Sequence, residues 1–169
     1  MTISNMRTDA LWISVSRFLG REAALLDSRD WDAWLDLYTE DAEYWVPAWD
    51  DDGQPTANPQ REISLIYYPN RGGLEDRVFR IRTGRSASAN QATRTCHSVQ
   101  LLQVEETANG RVRARANWNV HSFQEGRTIL YYGWSDYELT PDGDGWRISK
   151  RKSLVLNDIA DTMLDFYMI

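Results

Sequence analysis

Cysteine is almost absent from this chain of 169 residues, which contains Cys96 and no second cysteine. A single thiol cannot form an internal disulfide, so the fold has to be held together by its core and its hydrogen bonds. Chains without a disulfide framework are typical of reducing compartments. We therefore expect this protein to be cytoplasmic.

Long apolar runs are also missing. The first 20 residues read MTISNMRTDALWISVSRFLG, and Arg7, Asp9 and Arg17 interrupt their apolar positions. A signal peptide needs an uninterrupted apolar stretch and a membrane helix needs about 20 apolar residues, so the sequence predicts neither. With 42% hydrophobic and 26% charged residues, the composition is typical of a globular protein. We expect residues 1–169 to form one domain.

Lysine is scarce. The basic residues are 17 Arg and only 2 Lys, and the formal net charge of the chain is −6. An acidic chain is not expected to bind nucleic acid, since that binding requires many cations facing phosphates. Arginine is enriched in protein interfaces, as are the aromatic residues represented here by 8 Trp and 8 Tyr. The excess of arginine over lysine and the many aromatic residues therefore favour a subunit of an assembly. A GC-rich genome would also raise the arginine content at the expense of lysine.

The apolar spacing of the first half of the chain predicts helices followed by a short strand. One amphipathic helix should cover residues 8–27 with Thr8 or Asp9 as its N-cap. A short second helix should be capped by Ser28 or Asp30, and its aromatic and apolar positions recur at helical spacing through Trp31, Trp34, Leu35 and Tyr38. The next expected elements are a strand at 42–47, a turn-rich loop at 50–59, an interrupted helical segment at 61–83 and a small-residue loop at 84–92.

The second half predicts an antiparallel meander. Residues 111–123 alternate, with Val112, Ala114, Ala116, Trp118 and Val120 on one face and Arg111, Arg113, Arg115, Asn117, Asn119 and His121 on the other. Further strands are expected at 95–105, 128–139 and 146–156, and Asn109-Gly110, Glu125-Gly126 and the stretch 141–145 supply turns. Helices followed by a curved antiparallel sheet predict an α+β fold.

The most distinctive motif runs from Glu62 to Arg82 and reads EISLIYYPNRGGLEDRVFRIR. Together with WVPAWDDD over residues 45–52, it closely resembles the small, or β, subunits of aromatic ring-hydroxylating dioxygenases of the benzoate, toluate and anthranilate branch. The resemblance extends from about Phe18 to the end of the chain. The alternative for this motif is an ordinary helix-turn-helix with core aromatics.

The resemblance implies a cystatin-like cone, as in nuclear transport factor two, in which helices cover a strongly bent sheet. It also implies a noncatalytic component of an oxidoreductase that works in the catabolism of aromatic compounds. The expected assembly is an (αβ)3 hetero-hexamer, with the small subunits associating as a trimer. Its large α subunits would carry a [2Fe–2S] Rieske cluster and a mononuclear Fe(II). The complex would cis-dihydroxylate an aromatic carboxylate with O2 and electrons passed from NADH by a reductase.

The inventory of metal-binding side chains agrees with that division of labour. A Rieske cluster requires two cysteines and two histidines, and this chain has one Cys and two His. A mononuclear iron site requires two histidines and a carboxylate, for which His97 and His121 are the only candidates. The two should lie almost opposite each other on adjacent strands, and the strand register decides whether they share a face. We favour hydrogen-bonded histidines of the sheet or of an interface, and expect no metal or cofactor in this chain.

A catalytic alternative arises from the fold, because cone-fold isomerases and dehydratases use an Asp or a His–Asp pair in a buried pocket. In the ketosteroid-isomerase pattern, the base precedes a proline at the end of the first strand. Val46 occupies that position before Pro47 and cannot transfer a proton, while Asp41 is interpreted as a solvated turn residue. Trp and Tyr side chains are expected to fill the pocket. A stand-alone lyase or isomerase and a small-ligand binding module remain the alternatives.

We predict that a subunit interface forms from three parts of the chain, namely the motif at 67–82, the arginine-bearing strand face and the apolar chain end. An apolar end needs a cover, which either the chain's own sheet or a neighbouring subunit can supply. The resemblance favours the neighbouring subunit. The ten candidate interface residues are Tyr68, Asn70, Arg71, Arg77, Arg80, Arg113, Arg115, His121, Phe166 and Tyr167.

Overall fold

The computed structural model of the chain describes residues 3–84, 93–157 and 164–169. Of the loop predicted at 84–92, residues 85–92 lie outside the described residues. Within these ranges the elements are α1 (Ile3–Ser28), α2 (Trp31–Leu35), β1 (Tyr38–Pro47), β2 (Ser64–Tyr68), α3 (Arg71–Arg82), β3 (Arg94–Glu106), β4 (Val112–Gln124), β5 (Arg127–Asp142) and β6 (Gly145–Val155), with short 3-10 turns at Ala108–Gly110 and Phe166–Met168. None of the helices in the described ranges combines the length and the apolar character that crossing a membrane requires.

The strands form one curved six-stranded sheet in the order β2-β1-β6-β5-β4-β3. Neighbouring strands are antiparallel except β1 and β6, which run parallel. Helix α1 packs against β3 and β6, and α3 packs against β1. The helices therefore cover one face of the sheet, as the α+β prediction requires, and the opposite face remains outside.

The alternation predicted for the fourth strand is confirmed. Val112, Ala114, Ala116, Trp118 and Val120 are all buried in the core. Their neighbours on the other face are exposed or half-buried, namely Arg113, Arg115, Asn117, Asn119 and His121. Period-two patterning thus separates an apolar inner face from a polar outer face.

A glycine permits the close approach of β5 and β6. Gly133 on β5 faces Val155 of β6 in the register, and a Cβ atom at this position would lie 1.8 Å from the carbonyl oxygen of Leu154. The same Cβ would lie 3.0 Å from the ring of Trp118. Any side chain here would push β5 and β6 apart, so the glycine is required by the packing.

Two boundaries of the first helices differ from the predictions. Helix α1 begins at Ile3, so the predicted N-cap at Thr8 or Asp9 was wrong, and both residues lie inside the helix. The predicted cap of the second helix is confirmed, because Asp30 Oδ1 accepts a hydrogen bond from Ala33 N at 3.3 Å. Tyr38, which fits the helical spacing, is instead the first residue of β1.

The predicted interrupted helix at 61–83 was wrong in its first half. Ser64–Tyr68 form β2, which pairs antiparallel with β1. The run is short and rich in Ile and Tyr, which favours an edge strand over a helix. The second half is the helix α3, and Asn70 caps it by accepting a hydrogen bond from Gly72 N at 3.0 Å.

Candidate functional site

The inner space between the helices and the sheet is filled by aromatic side chains. Trp34, Tyr38, Tyr44 and Phe166 are all fully buried there. The rings of Trp34 and Tyr38 meet edge-on at 4.9 Å, and those of Tyr38 and Tyr44 lie 6.3 Å apart. The prediction that Trp and Tyr side chains fill the cone therefore matches the packing.

A buried ion pair crosses this interior. Arg151 Nη1 on β6 lies 2.9 Å from Glu22 Oε1 on α1, and both side chains are less than 5% exposed. Tyr38 donates its hydroxyl to Glu22 Oε1 at 2.6 Å, and Tyr137 donates to Oε2 at 3.2 Å. The carboxylate is thus bound by three donors, which compensates for the loss of water around a buried charge.

The guanidinium of Arg151 is equally constrained. Its Nη2 donates to the backbone oxygen of Ile169 at 2.9 Å, and its Nε donates to Ser153 Oγ at 3.1 Å. The group also lies 5.4 Å from the ring centre of Tyr44 and 5.5 Å from that of Tyr137. Arg151 therefore connects the sheet, α1 and the end of the chain, and it is almost fully shielded from solvent.

Burial changes the acidity of the groups around this pair. Burial raises the pKa of Tyr44 to about 12, and it also raises the pKa values of Tyr38 and Tyr137 above their usual value. Burial opposes the charge on Arg151, but the adjacent Glu22 carboxylate raises its pKa well above the ordinary value. Tyrosines with raised pKa values keep their protons near neutral pH, so none of these three is a general base there.

Residues 164–169, called the tail from here on, close the interior. The ring of Phe166 stacks on Trp34 at 4.5 Å with an interplanar angle of 13°, and it meets Trp31 edge-on at 5.5 Å. Asp165 is buried and accepts two hydrogen bonds from Arg77, at 3.0 Å from Nε and 2.8 Å from Nη2. The tail thus fills the space beside Trp31 and Trp34 and is joined to α3 through Arg77.

The positions considered for catalysis do not assemble in this interior. Val46 is fully buried beside Pro47, and Asp41 is exposed and accepts a hydrogen bond from Thr39 at 2.7 Å. The only buried carboxylates are those of Glu22 and Asp165, among the described residues, and each is paired with an arginine. Neither of these two carboxylates is free to act as a general base.

The two histidines lie on opposite faces of the sheet. Register places His121 across from Cys96 on the outer face, and His97 across from Val120 on the inner face. His97 Nδ1 lies 2.6 Å from Asp27 Oδ1, so this histidine is hydrogen-bonded within the fold. No group of three His, Cys, Asp or Glu side chains able to hold a metal occurs in the described ranges. These donors do not fit a mononuclear iron site.

The outer face of the sheet carries rows of opposite charges across its strands. Arg115 forms two hydrogen bonds with Asp136, at 2.6 and 2.9 Å, and Lys150 Nζ lies 2.8 Å from Glu43. Lys152 Nζ lies 4.3 Å from the ring centre of Trp45. We call this set the charge ladder; its members are Glu43, Arg113, Arg115, Asp136, Glu138, Lys150 and Lys152. A groove of about 500 Å³ runs along it.

The structure divides the ten predicted interface residues into three groups. Arg113, Arg115 and His121 lie on the outer sheet face. A second group surrounds α3 and comprises Tyr68, Asn70, Arg71, Arg77 and Arg80, of which Asn70 and Arg80 are exposed. Phe166 and Tyr167 are buried within their own chain at 0% and 3% exposure, so the chain supplies the cover that we had expected from a neighbour.

Arg71 and Arg77 also have partners in their own chain. Arg71 donates to the backbone oxygen of Tyr38 at 3.2 Å and to Glu75 at 2.8 Å. The pair of Glu22 and Arg151 is not predicted by the sequence. The two residues are 129 positions apart and neither lies in a motif, so no signal in the sequence pointed to their contact.

The comparison with known proteins decides what kind of chain this is. The family description "Ring hydroxylating beta subunit" matches residues 21–162. The chain belongs to this family. It is 44% identical over 159 residues to the anthranilate 1,2-dioxygenase small subunit of Acinetobacter baylyi, covering 94% of this chain and 98% of that one.

Solved structures place the ring-hydroxylating β subunit in the same fold. The β subunit of benzoate 1,2-dioxygenase from Burkholderia mallei aligns with a TM-score of 0.76 at 41% identity, covering 92% of this chain and 95% of that one. A nuclear-transport-factor-two-like protein with a cystatin-like fold from Novosphingobium aromaticivorans aligns with a TM-score of 0.60 at 19% identity, covering 96% and 94%. The family resemblance and the predicted cystatin-like cone are thus confirmed, and the stand-alone lyase or isomerase is not favoured.

Proposed function

We propose that this β subunit is the noncatalytic assembly subunit of a dioxygenase that cis-dihydroxylates an aromatic carboxylate of the benzoate or anthranilate type. The relatives named for anthranilate and benzoate dioxygenases support this choice of substrate class. The reaction would consume O2 and electrons passed from NADH by a reductase. This chain would contribute stability and geometry to the complex.

One observation carries the proposal, namely that the cone interior is closed by the chain itself. Phe166 of the tail stacks on Trp34, and Arg151 is bonded to Glu22 and to Ile169. A substrate would have to displace buried aromatic packing and a satisfied ion pair. The chemistry therefore belongs to a partner, the large α subunit, which would hold the [2Fe–2S] Rieske cluster and the mononuclear Fe(II).

The proposed complex is a cytoplasmic (αβ)3 hexamer in which the β subunits, each a single domain over residues 1–169, associate as a trimer. The outer sheet face offers a suitable surface, because Arg113, Arg115 and His121 lie on it beside the charge ladder. The exposed residues around α3, Asn70 and Arg80, offer a second surface. A specific interface buries on the order of 1,000 Å² or more, which a face of four strands can supply.

The test is to purify the chain alone and together with its large subunit, and to measure iron and mass in both preparations. We expect no iron in the chain alone after a chelator wash, and about three irons per αβ pair in the complex, two from the cluster and one mononuclear. Sedimentation should give the mass of an (αβ)3 hexamer. Stoichiometric iron in the isolated chain, or ring hydroxylation without the large subunit, would overturn the proposal.

A further inference from the structure

The tail places a carboxylate and an aromatic ring against three side chains of the helices. We call these three side chains, Trp31, Trp34 and Arg77, the box. Asp165 lies against Arg77 with two hydrogen bonds, at 3.0 and 2.8 Å, which is the bidentate geometry that guanidinium and carboxylate groups prefer. The next residue, Phe166, stacks on Trp34 at 4.5 Å and meets Trp31 edge-on at 5.5 Å. Two adjacent residues of the tail therefore make two different kinds of contact. Asp165 forms an ion pair with an arginine, and Phe166 stacks on a tryptophan.

The walls of this box come from parts of the chain other than the tail. Trp31 and Trp34 belong to α2, which Asp30 caps, and Arg77 belongs to α3, which Asn70 caps. Helices α2 and α3 also pack against each other. The local sequence of each helix defines its own ends, so the box does not depend on the tail for its secondary structure.

The interior beside the box also holds polar atoms without partners. Trp34 Nε1 and the Tyr44 hydroxyl are buried and have no hydrogen-bond partner in the structure. Leaving such atoms unbonded costs free energy, and a ligand with a carbonyl or hydroxyl group could bond to them. The tail therefore fills this space without satisfying every polar group that lines it.

We propose that Trp31, Trp34 and Arg77 form a binding site for an acidic aromatic ligand, which the chain occupies with its own Asp165 and Phe166. The ligand class is defined by a carboxylate and an aromatic ring joined by about six atoms, as in an Asp-Phe dipeptide. This goes beyond the proposed function, in which the subunit binds no small ligand. A tethered segment has an effective concentration in the millimolar range, so the intact chain should exclude free ligand.

The test empties the site in the full chain with the double variant Asp165→Ala, Phe166→Ala. The probe is the blocked dipeptide acetyl-Asp-Phe-amide, and its binding is followed by tryptophan fluorescence and by thermal unfolding. A ligand present at ten times its Kd should raise Tm by about 3–6 °C for a domain of this size. The unmodified chain should show no such shift.

Two matched peptides and one matched variant separate the parts of the site. Acetyl-Asn-Phe-amide, which lacks the charge, should bind at least about tenfold more weakly, since hydrogen bonds to charged groups are the stronger ones. Acetyl-Asp-Ala-amide should lose the stacking and the fluorescence change. Adding Arg77→Met to the double variant should abolish the difference between the Asp and Asn peptides. Equal binding of all three peptides, or no saturable binding, would overturn the inference.

A milder variant covers the case in which the double variant does not fold. Phe166→Ala alone keeps the pair of Asp165 and Arg77 and empties the ring position only. It should bind toluene with a rise in Tm, and it should not distinguish acetyl-Asp-Phe-amide from acetyl-Asn-Phe-amide, because Asp165 still occupies Arg77. A preference of this variant for the Asp peptide, or the absence of toluene binding, would contradict the assigned site.

Discussion

An arginine bound to a carboxylate occurs in two opposite surroundings in this β subunit. Inside the cone, Arg151 and Glu22 are 3% and 4% exposed and lie 2.9 Å apart. On the outer sheet face, Arg115 and Asp136 are 46% and 43% exposed and lie 2.6 Å apart. Arg115 makes two hydrogen bonds to Asp136 and Arg151 makes one to Glu22, yet the larger difference between the two pairs is their exposure to water.

The surroundings decide what each pair can do. A buried charge that loses its partner keeps the full cost of its desolvation, whereas an exposed charge regains water. The inner pair is therefore confined to holding the fold, and its bonds to Tyr38 and Ile169 add to that role. The outer pair can exchange its partner at little cost, which leaves the charge ladder available to a neighbouring subunit.

The largest expected effect follows from breaking the inner pair. Arg151→Ala leaves the buried Glu22 without its ion-pair partner and should lower the free energy of unfolding by about 3–5 kcal/mol. The measurement is chemical denaturation of the isolated chain. The matched control is Arg147→Ala on the same strand, whose pair with Asp142 spans 2.9 Å and is 42% and 52% exposed, and which should cost less than about 1 kcal/mol. Equal losses in the two variants would remove the distinction between inside and outside.

An intermediate effect is expected where the tail meets α3. Arg77 is 17% exposed and its partner Asp165 is 1% exposed, so Arg77→Ala leaves a buried carboxylate that water reaches poorly. We expect a loss of about 2–3 kcal/mol in the isolated chain, from the value of hydrogen bonds between charged groups. This differs from a purely interfacial role, in which assembly would weaken at unchanged stability.

The control for Arg77 is Arg80→Ala one turn further along α3. Arg80 is exposed, so its removal should change the unfolding free energy of the isolated chain by less than about 0.5 kcal/mol. A drop in assembly for Arg80→Ala without a drop in stability would support the proposed interface around α3. An unchanged melting temperature for Arg77→Ala would instead show that the tail does not depend on this pair.

How much of the structure can be predicted from the sequence depends on how far apart in the chain the interacting residues lie. The alternation of residues 112–120 gave the two faces of β4, because each side chain's direction follows from its neighbours. The helical predictions for Tyr38 and for Ser64–Tyr68 were wrong, since short apolar runs fit a helix and a strand equally well. Pairing with β1 makes Ser64–Tyr68 a strand.

Contacts between distant positions were beyond prediction. An irregularity between Leu101 and Gln103 shifts the register of β3, and this register puts His97 inside and His121 outside. The family motif predicted the cone, and Val46 stands before Pro47 in the sequence itself, yet neither gave a hint that Arg151 bonds to Ile169. The tail's apolar character predicted a cover, and only the folded chain revealed that its own helices supply it.

A smaller effect with a defined pH dependence is expected at Tyr44. Its hydroxyl is buried without a partner, so Tyr44→Phe should change stability at neutral pH by less than about 1 kcal/mol. Burial raises the pKa of Tyr44 from 10.0 to about 12. Between these values the unfolded chain has lost the proton that the folded chain keeps, so stability falls as pH rises.

The phenylalanine variant should therefore lose less stability between pH 10 and pH 12 than the unmodified chain does. Thermal unfolding measured at pH 8 and pH 11 gives the difference. Tyr132→Phe is the control, because Tyr132 is 44% exposed on the outer face and its hydroxyl is open to water. If Tyr44→Phe and Tyr132→Phe have the same alkaline profile, burial of Tyr44 does not govern alkaline unfolding.

The smallest effect on the isolated chain is expected on the charge ladder. Arg115→Ala removes an exposed pair with Asp136 and should change the unfolding free energy by about 0–1 kcal/mol. If the outer face is the trimer interface, the same change should shift sedimentation toward monomers, and more strongly at low salt, where charges attract over longer distances. The exchanged pair Arg115→Asp, Asp136→Arg should restore stability within the chain but not association, because the neighbour would meet reversed charges. Unchanged sedimentation of both variants would place the trimer contact elsewhere and leave the outer face to solvent.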